Sequence, residues 1–131
     1  IRAIPTETAW DLGKRSAEKL VDLYLQENGE HLLHLAISIW GTSTMRNGGE
    51  DICQLFALMG LMPIWDGTLR RVVDVEVIPM SVLNRPRVDV TLRISGLFRD
   101  AFPQIIELIR RGQNLIGNLN EPNANNPLAQ S

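Results

Sequence analysis

The sequence is short of several residue types, and each shortage excludes a class of protein. The single cysteine, Cys53, cannot form a disulfide within the chain, as is typical of proteins kept in the reducing cytoplasm. No apolar run reaches the roughly 18 residues that a membrane-spanning helix needs, so no membrane role is predicted. The net charge is -2 and Lys and Arg form no block, which argues against a nucleic-acid partner.

The residues that are present are those of a small globular domain. The 131 residues are 44% hydrophobic and 21% charged, which suits one packed core beneath a charged surface. Residues 1–117 are predicted to form a single α/β domain, and residues 118–131, rich in Asn and Pro, a linker or frayed tail. Eleven Arg stand against two Lys, a bias that fits an anionic ligand, internal ion pairs or a GC-rich genome.

Three segments have the spacing of apolar side chains, three and four residues apart, that indicates a helix. The first carries Thr8 and Asp11 as a capping-box-like pair at its start and ends at Gly29. The second is predicted to end at Gly60 and the third to begin at Pro103, where a missing N–H costs nothing.

Four segments are predicted to be strands. Residues 32–40 are almost continuously apolar, which favours a parallel strand covered on both faces. Residues 63–65 form a short strand, and residues 73–77 alternate apolar with acidic side chains, as in a half-exposed strand near a sheet edge. Residues 88–94 alternate in the same way.

Strands that alternate with helices predict an α/β fold with an open, mainly parallel sheet and helices on both faces, a three-layer sandwich of the Rossmann-like or flavodoxin-like kind. In such sheets ligands bind outside the carboxyl ends of the strands. That rule selects the loops 40–50 and 95–100, in which Gly41 and Gly96 permit close backbone approach. We expect these two glycines to emerge side by side, because the strands before them run in the same direction.

Several residues that could carry chemistry have a simpler structural explanation. His31 and His34 are three apart on a predicted strand and therefore on opposite faces, so they do not suggest a shared metal. Cys53 has no Cys or His at ligand spacing, and Ser95 lies outside a GxSxG pattern. Glu50 belongs to an acidic first helical turn that complements the helix dipole, although it could contact a cation. The sequence contains neither a P-loop nor GxGxxG.

Two stretches carry a resemblance to a known family. They are residues 40–52 (WGTSTMRNGGEDI) and 85–103 (RPRVDVTLRISGLFRDAFP), with residues 77–79 (VIP) between them and 126–129 (NPLA) in the tail. In that order they resemble the CobN-type large subunits of aerobic cobaltochelatase and the related H subunits of magnesium chelatase. The NPLA tail and the RNGG loop look more like the CobN type. Family members are far longer, so the chain resembles an internal fragment that is not expected to be active alone.

The resemblance implies a ligase activity, the ATP-dependent insertion of cobalt into hydrogenobyrinic acid a,c-diamide during cobalamin biosynthesis. Cobalt is then the substrate metal, and ATP is used by the AAA+ partner subunits CobS and CobT and is not bound here. The other implied partners are the rest of the large subunit and the corrin precursor. Two alternatives stay open: a scaffold module that docks the AAA+ partners, and a piece of a magnesium-chelatase H subunit acting on protoporphyrin IX.

Within this resemblance we place a substrate site at the two glycine loops. Its predicted members are Trp40, Gly41, Thr42, Arg46, Ser95, Gly96 and Arg99, with Glu50 and Asp100 as candidates to contact the metal. Arginine is the residue type that suits the peripheral carboxylates of a tetrapyrrole, since its guanidinium forms paired hydrogen bonds with a carboxylate. A carboxylate suits the entering cation and the protons that leave the ring nitrogens. The catalytic residues remain unassigned.

Overall fold

The structure is a computed structural model, and it describes residues 5–39, 48–67, 71–122 and 124–129. Within these ranges the helices are α1 (Glu7–Asn28), α2 (Glu50–Met59), α3 (Met80–Leu83), α4 (Gly96–Ala101) and α5 (Pro103–Gly117). The strands are β1 (His34–Ile39), β2 (Leu61–Trp65), β3 (Val72–Val77) and β4 (Asp89–Ile94). Every helix in these ranges is too short or too polar to cross a lipid bilayer.

Helix α1 ends where the sequence predicted and begins earlier. Thr6 has an extended backbone, with φ -86° and ψ 161°, and its Oγ1 accepts a hydrogen bond of 3.1 Å from the N–H of Ala9. Thr6 is therefore the cap and Thr8 is not, because Thr8 already lies inside the helix. At the other end Gly29 adopts a left-handed conformation with φ 72°, and its N–H donates to the carbonyl of Leu25.

The strands form two pairs, and the α/β class is confirmed. Strands β1 and β4 are parallel neighbours, with His34 opposite Asp89 and Ile39 opposite Ile94. Strands β2 and β3 pair antiparallel, with an irregularity between Ile64 and Trp65. The short strands after Gly60 therefore form a hairpin beside the parallel pair, a division that the alternation of elements along the sequence did not specify.

A proline lies within strand β2 without breaking its hydrogen bonds to β3. The N–H of Ile78 donates to the carbonyl of Gly60 at 2.8 Å, and hydrogen-bonded pairs alternate along an antiparallel ladder. Pro63, opposite Val75, consequently occupies a pair whose N–H groups point away from the partner strand. Its missing N–H costs no ladder bond and leaves the outer edge of β2 less able to pair with another strand.

Helix α2 forms the centre of the core. Most of its side chains are buried, including Phe56 and Met59 at 0% exposure, and it contacts α1, β2, β4 and α5. Gly13 lets α1 approach closely, because a Cβ at this position would lie 2.6 Å from Cys53 Cβ and 2.7 Å from the carbonyl oxygen of Glu50. The backbones of α1 and α2 are therefore in direct contact there.

Strand β1 is less enclosed than its apolar sequence predicted. Its residues alternate in exposure: His34, Ala36 and Ser38 are exposed, while Leu35 and Ile37 are partly buried against the core. The expectation of cover on both faces is thus wrong for the part of the chain that the structure describes. The alternation of side chains along a strand gives each face its own environment, and only one face of β1 meets the core.

The described part of the segment 118–131 folds back onto the domain, unlike a frayed end. The side chain of Asn126 is fully buried, and its amide donates to the carbonyl of Ile116 at 2.8 Å. The N–H of Arg87 donates to the carbonyl of Asn125 at 2.8 Å, next to the start of β4. Polar composition suggested a linker, but a few well-placed hydrogen bonds are enough to hold a polar segment in place.

Candidate functional site

The carboxyl ends of β1 and β4 lie side by side. Ile39 and Ile94 are partners in the parallel register, and the N–H of Ser95 donates to the carbonyl of Ile39 at 3.2 Å. The common strand direction on which the predicted site depended is therefore observed. Of the predicted site, Trp40, Gly41, Thr42 and Arg46 lie outside the described residues, while Ser95, Gly96 and Arg99 follow the end of β4.

Residues 95–100 were predicted to be a loop, but Ser95 is the cap of α4 and Gly96 is its first residue, so this prediction is wrong. Ser95 caps the helix, since its Oγ accepts a hydrogen bond of 3.1 Å from the N–H of Phe98. Gly96 is exposed, and no atom of the described residues lies within 4 Å of a Cβ added there, so this part of the structure leaves room for a ligand beside the backbone. The serine hydroxyl thus has a structural partner, and the backbone beside it is open.

Arg99 and Asp100 project from α4 as exposed side chains. Arg99 borders a groove of about 520 Å³ between β4 and α5, and among the described residues it has no carboxylate partner. Its guanidinium is therefore available to an anion near the end of β4. Asp100, the neighbouring candidate for metal contact, does not line that groove.

The candidates for metal contact do not belong to a cluster of ligands. Glu50 lies in the first turn of α2 after Gly49, whose φ is 91°, and Asp100 lies on α4. Across the described ranges, no group of three or more His, Cys, Asp or Glu side chains is placed to hold a metal ion. The assignment of Glu50 and Asp100 to the metal stays a prediction.

Cys53 and the two histidines have structural surroundings. Burial raises the pKa of the Cys53 thiol to about 12, and the nearby carboxylates of Asp51 and Glu50 add to the effect. The thiol is therefore neutral at physiological pH and is a poor nucleophile. His34 Nδ1 lies 3.6 Å from Asp89 Oδ2 on an exposed part of the sheet, and His31 borders a groove at the amino end of β1.

The most elaborate polar arrangement is one that the sequence patterns did not predict. Arg87 is fully buried, and its guanidinium donates to the carbonyls of Met59, Gly60 and Ile78 and to both carboxylate oxygens of Glu121. The distance from Arg87 Nε to Glu121 Oε1 is 2.8 Å, and Asn126 also donates to that oxygen at 3.1 Å. We call Arg87, Glu121 and Asn126 the Arg87 cluster.

The Arg87 cluster joins two stretches that resembled the same family, residues 85–103 and 126–129. Glu121 is 34 residues from Arg87, so no local pattern announces the pair. The sequence did contain one indication of the pair, because Arg87 directly precedes the alternating strand β4. An arginine next to a buried strand needs a carboxylate or several carbonyls as partners. This arginine has a structural role and is not free to bind a ligand.

A second groove, of about 360 Å³, is mainly apolar. It lies between α1, the β2–β3 hairpin and α3, and Trp10, Met62 and Leu83 line it. Val82 on α3 borders it with 71% of its surface exposed. Arg85 closes one side, where its guanidinium donates to the carbonyls of Ala57 and Leu58 at the end of α2.

Comparisons with known proteins agree with this architecture. The family model described as CobN/Magnesium Chelatase matches residues 1–131. The chain is 50% identical over 129 residues to the aerobic cobaltochelatase subunit CobN of Pseudomonas aeruginosa, covering 98% of this chain and 10% of that protein. It is 34% identical over 122 residues to the magnesium-chelatase subunit ChlH of rice, covering 92% of this chain and 9% of that protein.

A solved structure has the same fold. The catalytic subunit of cobaltochelatase from Mycobacterium tuberculosis superposes with a TM-score of 0.94 at 40% sequence identity, over 96% of this chain and 11% of that one. The chain thus spans about 10% of the length of the curated relatives it matches. On the match of the whole sequence to the family model, the chain belongs to the CobN/magnesium chelatase family.

Proposed function

We propose that this chain is a segment of the large subunit of a cytoplasmic cobaltochelatase, which inserts cobalt into hydrogenobyrinic acid a,c-diamide with energy from ATP. The observation that carries the choice of metal is the difference in identity between the two branches of the family. The chain is 50% and 51% identical to two CobN subunits over 98% of its length. It is 34% to 39% identical to magnesium-chelatase H subunits over 74% to 92% of its length.

ATP hydrolysis belongs, in this proposal, to separate AAA+ subunits of the CobS and CobT kind. The sequence contains no P-loop, in which backbone N–H groups and a lysine would hold the phosphates of a nucleotide. The large subunit instead holds the tetrapyrrole, removes water from the cation and accepts the protons of the ring nitrogens. Work from the ATPase offsets the cost of dehydrating the metal and bending the ring.

The residues of this chain that we assign to the substrate follow β1 and β4 in the sequence. Support comes from the parallel pairing of Ile39 with Ile94, which brings the carboxyl ends of the two strands to the same edge of the sheet. Within the described ranges, nothing covers the backbone at Gly96, and Arg99 is an exposed cation without a carboxylate partner. We assign Arg99, together with Arg46, to a peripheral carboxylate of the corrin.

The test is a pair of substitutions in the full-length large subunit. Arg46→Ala combined with Arg99→Ala is expected to weaken binding of the corrin precursor and to lower the rate of cobalt insertion. Arg15→Ala, which removes an exposed arginine of α1, is the matched control and should leave both unchanged. Unchanged corrin binding in the double variant would reject the assignment of these arginines. Insertion of magnesium into protoporphyrin IX by the wild-type complex, with no insertion of cobalt, would reject the choice of metal.

The apolar groove beside α3 favours a second candidate function, a scaffold that docks the ATPase subunits. Val82 is 71% exposed on the one-turn helix α3, so a partner that covered it would remove apolar surface from water. If this groove is the docking surface, Val82→Asp should weaken assembly with the AAA+ subunits without affecting corrin binding. Assembly at wild-type strength in that variant would reject the scaffold role of the groove.

A further inference from the structure

Strand β4 has one edge that is unpaired within the described ranges. The N–H of Asp89 donates to the carbonyl of Leu33, and the N–H of Ser95 to the carbonyl of Ile39. Since the side on which a strand forms its hydrogen bonds alternates with each residue, the odd-numbered residues of β4 bond to β1. The N–H and C=O groups of Val90, Leu92 and Ile94 therefore point away from β1.

This unpaired edge faces a groove whose opposite wall is a helix. Val90, Leu92 and Ile94 line the groove of about 520 Å³ on one side, and Ile106 and Gln113 of α5 line it on the other. Leu92, Ile94 and Ile106 are only partly buried there. The groove thus offers unpaired backbone groups beside apolar side chains, the two features that an added β-strand uses.

A pair of parallel strands is an incomplete sheet. Parallel sheets occur almost only where helices cover both faces, and isolated two-stranded sheets have little stability in water. The half-exposed side chains of β4 fit a sheet that continues beyond this pair, and the exposed face of β1 fits a further layer that covers it. The relatives are long enough to contain a further strand, because this chain spans only about 10% of their length.

The path of the chain indicates the direction of the missing strand. After β4, helix α5 runs alongside the groove, and the segment that follows returns to the amino end of the sheet, where Asn125 accepts from the N–H of Arg87. Ala124 borders a groove there with His31 and His34. A strand, a helix and a return to the start of the strand are the first parts of a right-handed crossover, which leads to a parallel neighbour.

We propose that the outer edge of β4 pairs with a further parallel strand of the same large-subunit polypeptide, which fills the groove between β4 and α5. The inference rests on the part of the proposed function that makes this chain a segment of a long chelatase subunit, and it is independent of the metal. The strand would receive hydrogen bonds from Leu92 and Ile94 and present apolar side chains to Ile106. Sheet formation would then be shared between this segment and the rest of the subunit.

The first test is amide hydrogen exchange, resolved residue by residue, in the full-length large subunit. We expect the amides of Leu92 and Ile94 to exchange as slowly as those of Thr91 and Arg93, which bond to β1. Fast exchange at Leu92 and Ile94 beside slow exchange at Thr91 and Arg93 would overturn the proposal. Because no metal insertion is measured, this result is separate from the test of the proposed function.

The second test identifies the occupant by photo-crosslinking in the same protein. A benzophenone amino acid is introduced at Gln113 in the groove and, as a control, at Leu23, which is 52% exposed on α1. We expect a crosslink from position 113 to a segment of the same polypeptide outside these 131 residues, and position 23 should not crosslink to that same segment. Crosslinks only to a second copy or to an ATPase subunit, or none at all, would overturn the proposal.

Two variants distinguish the contribution of the backbone N–H from that of the side chain at this edge. Leu92→Pro removes the outward N–H without removing a bond to β1, and we expect it to abolish the crosslink from position 113. Leu92→Ala keeps the N–H and should retain the crosslink. If Leu92→Pro retains the crosslink as well, the occupant does not pair with β4.

Discussion

Replacing Arg87 with alanine is expected to destabilise the fold more than most single changes in this chain. The guanidinium is 0% exposed and donates five hydrogen bonds, three to backbone carbonyls and two to the carboxylate of Glu121. Arg87→Ala leaves the carbonyls of Met59, Gly60 and Ile78 without this donor and removes the partner of Glu121. It also removes the side-chain link between the start of β4 and Glu121, while the backbone hydrogen bond from residue 87 to Asn125 is kept.

The magnitude follows from the burial of the pair. Removing one partner of a buried ion pair costs about 3 to 5 kcal/mol, because the other charge is left without compensation. The side chain of Glu121 is 17% exposed, so water can partly solvate it, and we expect the lower value, about 3 kcal/mol. For a domain of this size that loss lowers the melting temperature by roughly 10 °C.

The measurement is urea and thermal unfolding of the wild type, Arg87→Ala and the matched variant Glu121→Gln. The glutamine has no charge but keeps an oxygen that can accept from Arg87, and the guanidinium keeps its three carbonyl acceptors, so the loss should be smaller, about 1 to 2 kcal/mol. A loss below about 0.5 kcal/mol for Arg87→Ala, the usual effect of a change on the surface, would refute the reasoning. Such a result would mean that the guanidinium is solvated and that its hydrogen bonds do not stabilise the fold.

Three further predictions concern other positions. Gly60→Ala should lower the free energy of unfolding by about 3 kcal/mol or more, because φ is 81° and the new Cβ would collide with the Arg87 guanidinium. Gly29→Ala, with φ 72° and no described atom within 4 Å of the new Cβ, should lower it by only about 1 kcal/mol in the same unfolding assay. The Cys53 thiol, its pKa raised to about 12 by burial, should react with iodoacetamide at pH 8 only as fast as the protein unfolds, and rapid labelling of the folded protein would contradict the burial. A hydrogen bond from Arg111 holds the pKa of Asp74 below its ordinary value, so Arg111→Gln should raise it in an NMR titration, and an unchanged pKa would rule out the pair.

The pH dependence of the Arg87 cluster has a definite sign. The hydrogen bond from Arg87 lowers the pKa of Glu121 in the folded state, while burial opposes the effect and Asn126 supports it. A lowered folded pKa adds stability that is complete above the ordinary glutamate pKa and is lost as the pH falls through the lowered value. The difference in stability between the wild type and Glu121→Gln should therefore shrink under acidic conditions.

Local patterns in the sequence were sufficient for the three longer helices and the four strands, but they missed the short helices α3 and α4. The end of α1 at Gly29 and the end of α2 at Gly60 were both predicted, because a left-handed residue after a helix is most often glycine. The start of α1 was missed by two residues, since Thr6 and Thr8 both have a suitable side chain and only the backbone conformation distinguishes them. The alternation of residues 88–94 likewise identified β4.

Contacts between distant residues could not be predicted in this way. The apolar run of residues 32–40 looked enclosed, yet one face of β1 is exposed, because its enclosure depends on what packs against it. The polar tail looked like a linker, yet the buried side chain of Asn126 holds it against the domain. The backbone contact that holds the tail joins Asn125 to Arg87, 38 residues earlier, and a local pattern does not encode such a contact.

The sequence by itself determined the α/β class, the element boundaries to within a few residues and the family resemblance, because each depends on short-range periodicity, on turn residues or on continuous motifs. The tertiary structure confirmed the expected common direction of β1 and β4, and it alone decided that β2 and β3 form a separate hairpin and that Arg87 pairs with Glu121. Those outcomes depend on which surfaces and charges meet after the chain folds. A buried guanidinium needs its carbonyls and its carboxylate in three dimensions, and nothing in the spacing of Arg87 and Glu121 along the chain encodes that meeting.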